Sequence, residues 1–587
     1  MEIADLASFD ANSFFDADLA IVGGGPAGLT IAREFFGTST QVLVLESGLL
    51  DETPGHAALN AVESVGEPHS DAQKQKRVAF HGASSPTWSQ DSQPYGVRCR
   101  ALGGSTHAWA GKSAAFDEID FAARPWVPHS GWPIARKSLD PYLDRAARVL
   151  NLGPNCYDDS LWKLIGAKPP EPRFDNDGLR SFFWQFARSR IDYLDIMRFG
   201  REFVTFKADN VRVLLNATVT RIGVTSDGGS FEDLEISTID GVGSKVRART
   251  AVIAASSIEN ARLLLASNDV HAQGIGNGQD LVGRFLMDHP GARVARFETG
   301  DVASIVRRFG FYGLRQGSQT HMYMHGLAPT PALQERMQLL NSAVYFMPEH
   351  SPNDPWDALK RLLRRNSARP VQDARTVMAG AGLLTKGVGM KLLASPATPD
   401  FLKDFIVNTA IRFNPNLVAE EFLSRGVPHK LTAVSIDAIS EQRPNPDSRV
   451  RLSEKTDRFG VPLAKVDWRI NEDERRTIVQ IARLARDAFP RAGLPSPVLE
   501  PWVNEERSGE GIIIDMAHSA GTTRMSANPT SGVIDQDCQV HGVRGLYVSG
   551  GSIFPTSGHA NPTLMILAFA IRLADKIKSE LGRIGGY

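Results

Sequence analysis

The run Val22-Gly-Gly-Gly-Pro-Ala-Gly28 places Gly23, Gly25 and Gly28 at the G-x-G-x-x-G spacing. Missing side chains at these positions permit a tight turn, close approach of backbone to a pyrophosphate, and close packing of a helix on a strand. The anion then sits at the N-terminus of a helix opened by Pro26 and Ala27. Glu46 closes a second apolar run, Val42-Leu-Val-Leu-Glu46, and is placed to accept hydrogen bonds from a ribose. The chemistry indicated is the binding of a dinucleotide cofactor. Further on, Gly103 and Gly104 would let backbone approach a diphosphate and a ring, while Ser105 and Thr106 supply short donors.

These residues need elements to hold them. Asp18 to Val22 reads as a buried strand, the glycines as its turn, the following residues as a helix, and Val42 to Glu46 as a second buried strand, which is a βαβ opening. Phe80 to Thr106 is rich in His, Ser, Gln, Gly and Arg and reads as a long loop serving a site. The runs Val211–Leu215, Thr218–Val224 and Leu234–Ile236 suggest a β-meander returning to a buried strand at Thr250–Ala255, with a helix over Ser257–Leu265. From about Pro290 to Glu510 the composition shifts to mixed strand and helix, and a second domain is expected there. The chain ends as it began, with a strand at Leu546–Ser549, a glycine-proline turn, and an amphipathic helix from about Pro562 to Leu581. The cofactor domain is therefore expected to be discontinuous.

Composition excludes several classes. A chain of 587 residues with 42% hydrophobic and 22% charged residues is neither a small disulfide scaffold nor a disordered chain. Lys+Arg 65 against Asp+Glu 66 leaves a net charge of −1, so no basic field argues for nucleic acid. Cys99, Cys156 and Cys538 are far apart and form no metal-ligand pattern, which suits a reducing compartment and predicts no metal site. The first 32 residues hold five acids and no Lys or Arg, so the expected location is cytoplasmic, and no run is apolar enough to predict a membrane span.

Taken together, five separated segments resemble the glucose-methanol-choline (GMC) family of flavoprotein oxidoreductases. They are Val22–Gly28 with Glu46; Leu102–Thr106; Ser256–Arg262; Val282–Pro290; and His518–Thr522 with Phe554–Thr563. The resemblance implies an α/β fold in which a Rossmann-type FAD-binding domain is interleaved with a substrate domain built on an antiparallel β-sheet with helices, as in p-hydroxybenzoate-hydroxylase-like architectures. The expected boundaries are 1–115, 200–290 and 515–587 for the FAD domain, and 116–199 and 291–514 for the substrate domain.

The resemblance also assigns roles. His518 stands where the family keeps its catalytic histidine, and an imidazole is suited to removing a hydroxyl proton near neutral pH while a hydride passes to flavin N5. Asn561 takes the second active-site position, where it would donate a hydrogen bond to the substrate oxygen. His559 could reach substrate or cofactor or belong to a turn, and His289 has an architectural role in the family motif. Some relatives bind flavin covalently through a histidine four residues after the glycine pair. Here that position is Ala108 and His107 comes one residue early, so non-covalent FAD is expected. Trp109 and the His/Asn pair resemble the pyranose-oxidase and glycoside-oxidase branch. Pro562 and Thr563 open the last helix, whose dipole would face the flavin pyrimidine edge. Gly550 and Gly551 replace an acidic-small pair and would contact the cofactor through backbone. Ser47, Arg100, Ala110 and Val219 complete the implied cofactor set.

The expected function is oxidation of a secondary hydroxyl of a sugar or glycoside, C3 before C2, with oxygen or another acceptor reoxidising the flavin. The alternatives are a GMC enzyme acting on a non-sugar alcohol, a flavin protein without turnover, and a NAD-dependent dehydrogenase, which would leave the C-terminal motif without purpose. One feature lies outside the resemblance. Between Ala358 and Leu393 eight basic residues face one acid, suggesting amphipathic basic helices within an insertion at about 355–425. A solvated arm is the plain reading, with homo-oligomer packing next and peripheral membrane contact last.

Overall fold

The computed structural model describes residues 1–66, 68–82, 85–174, 178–191, 195–316, 319–351, 353–363, 368–382, 384–385, 429–504 and 512–584. The strand Phe14–Val22 runs into the glycine turn, the helix Pro26–Glu34 follows, and the strand Val42–Leu45 pairs parallel with the first. Val42 to Leu45 are all buried, which is what a parallel strand covered on both faces requires.

The sheet has eight strands. Its order is Glu2–Asp5, Val211–Leu215, Val42–Leu45, Phe14–Val22, Gly243–Ile253, Phe231–Ser237 and Thr218–Val224, with Leu546–Val548 also pairing Gly243–Ile253. Two sequence expectations change here. Val211–Leu215 pairs parallel with Val42–Leu45 and Glu2–Asp5, so it belongs to the Rossmann layer and not to the meander. The strand expected at Thr250–Ala255 spans Gly243–Ile253: its first half pairs antiparallel with Phe231–Ser237 and its second half parallel with Leu546–Val548. That strand joins meander to cofactor sheet. The C-terminal helix Thr563–Ile584 packs on Pro26–Glu34, burying Leu564, Leu567, Ala568, Ile571 and Ala574.

A nine-stranded antiparallel sheet forms the second layer, in the order Val498–Leu499, Pro290–Phe297, Leu431–Ser440, Ser342–His350, Gln319–Pro329, Leu179–Phe186 and Lys112–Ser113. Phe311–Gln316 pairs Gln319–Pro329, and Ile514–Asp515 pairs Pro290–Phe297. Val294, Ile436 and Val344 pack on the helix Glu472–Arg491 through Ile478, Ile481, Ala485 and Phe489. Phe182, Trp184, Met324 and Ile439 join the core of the cofactor side instead. The sheet thus presents one face to its own helix and the other to the cofactor domain.

Lys112–Ser113 already pair with Leu179–Phe186, so the substrate layer begins before residue 116. A third, three-stranded sheet joins Val62–Ser64 to Pro462–Asp467 and Arg449–Thr456 and packs on the helix Ser257–Ala266. Residues 449–467 therefore lie against the cofactor layer. Of the basic insertion, the helices Pro355–Leu363 and Pro370–Ala379 are described, and Arg361 pairs there with Asp373. Residues 364–367, 383 and 386–428 lie outside the described residues. No helix among the described residues is long and apolar enough to cross a membrane.

Candidate functional site

Gly25 caps the helix Pro26–Glu34 with extended backbone and no side-chain cap, leaving the helix N-terminus open. A Cβ on Gly25 would meet nothing within 4 Å, whereas one on Gly28 would sit 2.0 Å from the Gly23 carbonyl oxygen. Gly28 is needed for packing, and Gly25 borders free space where a diphosphate fits. Gly23 has φ +106°, and a Cβ there would lie 2.6 Å from the Ala254 carbonyl oxygen. The Gly103 amide donates to the Gly24 carbonyl at 2.7 Å, and a Cβ on Gly104 would be 3.0 Å from Gly25 Cα, so the two glycine turns form one cradle.

Glu46 accepts from the Gly24 amide at 2.8 Å and the Gly48 amide at 2.7 Å. Burial pushes its carboxyl up to about 7 against those two hydrogen bonds. Ser47 bonds Thr218 at 2.7 Å, next to Val219, and receives Arg100 Nη1 at 3.0 Å. Arg100 is also paired with Glu259 at 3.2 Å. These residues gather beside the glycine turn, at the end of the strand Val42–Leu45.

Ser105, Ala108, Trp109 and Ala110 follow the cradle. Trp109 donates to the Met197 carbonyl at 2.7 Å, and His107 donates its Nε2–H to the Leu102 carbonyl at 2.9 Å. At the far end, Gly550 adopts φ +108° and the Gly551 carbonyl accepts from the Gly521 amide. The residues around 521–525 therefore run beside 551–553, and Asn561, Pro562 and Thr563 start the last helix nearby. The two motifs that carry His518 and Asn561 are brought together in this way.

The site itself is a chain of hydrogen bonds. His289 Nε2 lies 3.1 Å from the Ser557 carbonyl oxygen, which can only accept, so the hydrogen is assigned to Nε2 and His289 Nδ1 is bare. His518 Nδ1, 3.0 Å from that atom, must then donate to it. This leaves His518 Nε2 as an acceptor, with Asn561 Nδ2 at 3.2 Å. The tautomer of the expected base is thus fixed by a backbone carbonyl two steps away. Burial holds His518 well below the ordinary histidine range and sets His289 at about 4, so both rings are neutral at pH 7.

Backbone geometry fixes the ring's position. Ala517 has φ +61°, and Asp288 accepts from the amides of His518, at 2.9 and 3.0 Å, and Met516, at 3.0 Å. Tyr95 donates to the same carboxyl at 3.2 Å. Burial, then neighbouring Asp515, pushes Asp288 up to about 7. Asp515 is itself held low, its burial outweighed by Arg77, which donates from Nε at 2.7 Å, together with His81 and His69.

Two buried polar groups near this chain have no partner among the described residues: Asn561 Oδ1 and both ring nitrogens of His559. His559 packs edge-on against Phe182 at 4.5 Å, and burial lowers it to about 3. Polar atoms left without protein partners are free to bond a bound molecule. The resemblance gives His289 an architectural role, and the structure adds the ring hydrogen bond it accepts from His518. The Asp288-His289 pair was visible in the sequence, but its contact with a residue 229 positions away was not.

Residues 444–570 match the model of the family described as GMC oxidoreductase. Along most of its length the chain is similar to paromamine 6'-oxidase of Streptomyces fradiae, at 23% identity over 96% of this chain and 92% of that protein. It is likewise similar to the fructose dehydrogenase large subunit of Gluconobacter japonicus, at 23% identity over 97% of this chain and 99% of that protein. A shorter stretch is 32% identical to the C-glycoside 3-oxidase of Arthrobacter globiformis, covering 21% of this chain and 23% of that one. Among solved structures, a formate oxidase shares the fold with a TM-score of 0.55 at 17% identity, covering 98% of this chain and all of that one.

Proposed function

We propose that this chain, an oxidoreductase of the GMC family, oxidises a secondary hydroxyl of a sugar or glycoside to the keto-sugar. The observation that carries this reading is the tautomer chain from the Ser557 carbonyl through His289 to His518, which leaves His518 Nε2 bare beside Asn561. When bound, FAD supplies the two-electron acceptor for a hydride. His518 Nε2 takes the hydroxyl proton as the Asn561 amide gives up its hydrogen bond to that lone pair, while the His518 Nδ1–H stays donated to His289 and holds the ring in place. Asn561 retains one amide hydrogen and the unpartnered Oδ1 to orient the substrate oxygen.

Sugar as the substrate class is supported by the relatives named for paromamine, fructose and C-glycosides. The last of these supports C3 as the position oxidised. Ala108 and the His107 ring, which donates to the Leu102 carbonyl, support FAD held without a covalent bond. Cys99, Cys156 and Cys538 are all free, which supports a cytoplasmic setting. Either oxygen or another acceptor could reoxidise the flavin.

Mixing the purified yellow protein anaerobically with a panel of glycosides and diols tests the reading. Bleaching by glycosides, with a keto-sugar recovered, is the expected result. Bleaching by simple diols alone would overturn the sugar assignment, and no bleaching would overturn the reaction. Acid precipitation should leave FAD in the supernatant; a yellow pellet would place a covalent bond at His107.

A further inference from the structure

Lys112 lies where the Lys112–Ser113 strand pairs with Leu179–Phe186 at the edge of the substrate sheet. Its Nζ stands 3.7 Å from the centre of the Tyr345 ring and 4.1 Å from that of Trp184. No hydrogen bond or ion pair to it occurs among the described residues. The neighbouring carboxylate is Asp437, the register partner of Tyr345, which faces Arg293 at 3.9 Å and also feels Lys76. The cage adjoins the histidines: the Trp184 ring lies 6.3 Å from that of His559, which is two residues from Asn561. The Lys112 charge reaches His518, His289 and His559, weakening each as a base.

An ammonium with three donors, caged by two aromatic faces and without a counter-ion, is costly to hold. Burial lowers this one to about 7. Lys76 and Arg293 have Glu500 and Glu349 beside them as well as Asp437, so the uncommitted donors here are those of Lys112. Those donors are complementary to an anion that arrives with the substrate.

Resting on the sugar reading above, we infer that Lys112 selects a carboxylate, so that the substrate is an acidic glycoside of the uronide type. The carboxylate would sit on Nζ, and the sugar hydroxyl would be presented to His518 and Asn561. The same charge turns away sugars bearing an ammonium group.

The test uses holoenzyme with methyl β-glucuronide and methyl β-glucoside. Binding is measured by calorimetry on dithionite-reduced protein, where no turnover occurs, and kcat/KM is measured separately. The wild type should favour the glucuronide by roughly thirtyfold or more, the scale of one desolvated charge pair. Lys112→Met should bring the ratio of the two affinities to about one, and Lys112→Arg should restore a preference for the glucuronide. Equal affinities in the wild type, or a Lys112→Met protein that weakens both ligands alike, would overturn the inference. If the calorimetric preference follows Lys112 but neither glycoside reduces the flavin, the assigned reaction fails while the carboxylate site stands. A Lys112→Met protein that loses flavin is replaced by Lys112→Gln, read in the same way.

Discussion

At the scale of the residue, His518 owes its role to three neighbours that each remove one freedom. Asp288 fixes its backbone, His289 fixes its tautomer, and Asn561 faces the nitrogen that remains. His518→Ala should keep FAD and slow flavin reduction by roughly a hundredfold or more, the scale of a lost positioned base. Asn561→Ala should also slow reduction, by about 3 kcal/mol in barrier, but without altering the pH profile, because an amide does not titrate. The structure moves the expected pH limb. A free histidine would give a rise centred near about 6.5, but burial lowers His518, so its neutral form persists to lower pH. Wild-type reduction should therefore show its histidine limb only on the acid side of that value, and His518→Ala should lack the limb. His289→Ala removes a group that lowers His518, so the limb should move toward the ordinary value. Anaerobic stopped-flow reduction read across pH gives all four results; a His289→Ala limb left in place would reduce that residue to a structural role.

At the scale of the element, glycines separate packing from binding. Gly28→Ala forces a Cβ to 2.0 Å from the Gly23 carbonyl, so the strand-to-helix joint must open and stability must fall. Gly25→Ala meets no atom, and Gly25 has φ −81°, so its protein should fold. Its methyl would instead stand in the space for the diphosphate. Thermal unfolding and flavin content together check the pair: Gly25→Ala should lose flavin at little cost to the apoprotein, and Gly28→Ala should lose stability first. Full flavin content in Gly25→Ala would refute the cradle. The opening strand, turn and helix were legible in the sequence because every residue serves one local purpose. Val211–Leu215 was misplaced because a buried run has the same pattern whether its partner is parallel or antiparallel, and only tertiary pairing decides. Lys112 and the His289 to His518 bond were illegible because their partners are Trp184, Tyr345 and a residue on another motif, none of which local spacing reveals.

At the scale of the whole molecule, interleaved layers need a fastener, and the stretch around Phe116–Leu139 supplies it. Trp132 stacks between Phe121 at 4.3 Å and Phe569 of the C-terminal helix at 5.3 Å, and donates to Thr556 at 2.7 Å. A few residues away, Arg124 makes a bidentate pair with Glu441, at 2.7 and 2.6 Å, just beyond the strand Leu431–Ser440 of the substrate sheet. Glu441 also accepts the Asn341 amide at 3.1 Å, and Asn341 donates on to Asp120 at 2.8 Å. Arg124 and Glu441 are both buried, so neither can be released to water when its partner is removed. Arg124→Ala should therefore cost about 3 to 5 kcal/mol, because it strands a buried carboxylate, far more than an exposed ion pair would. The double variant Arg124→Met with Glu441→Leu should recover much of that loss, since it buries no charge, although the Asn341 amide loses its acceptor. Denaturant unfolding of the two variants beside the wild type reads the difference. A single variant within about 1 kcal/mol of wild type would mean that the layers are held by the aromatic stack around Trp132 and not by this pair.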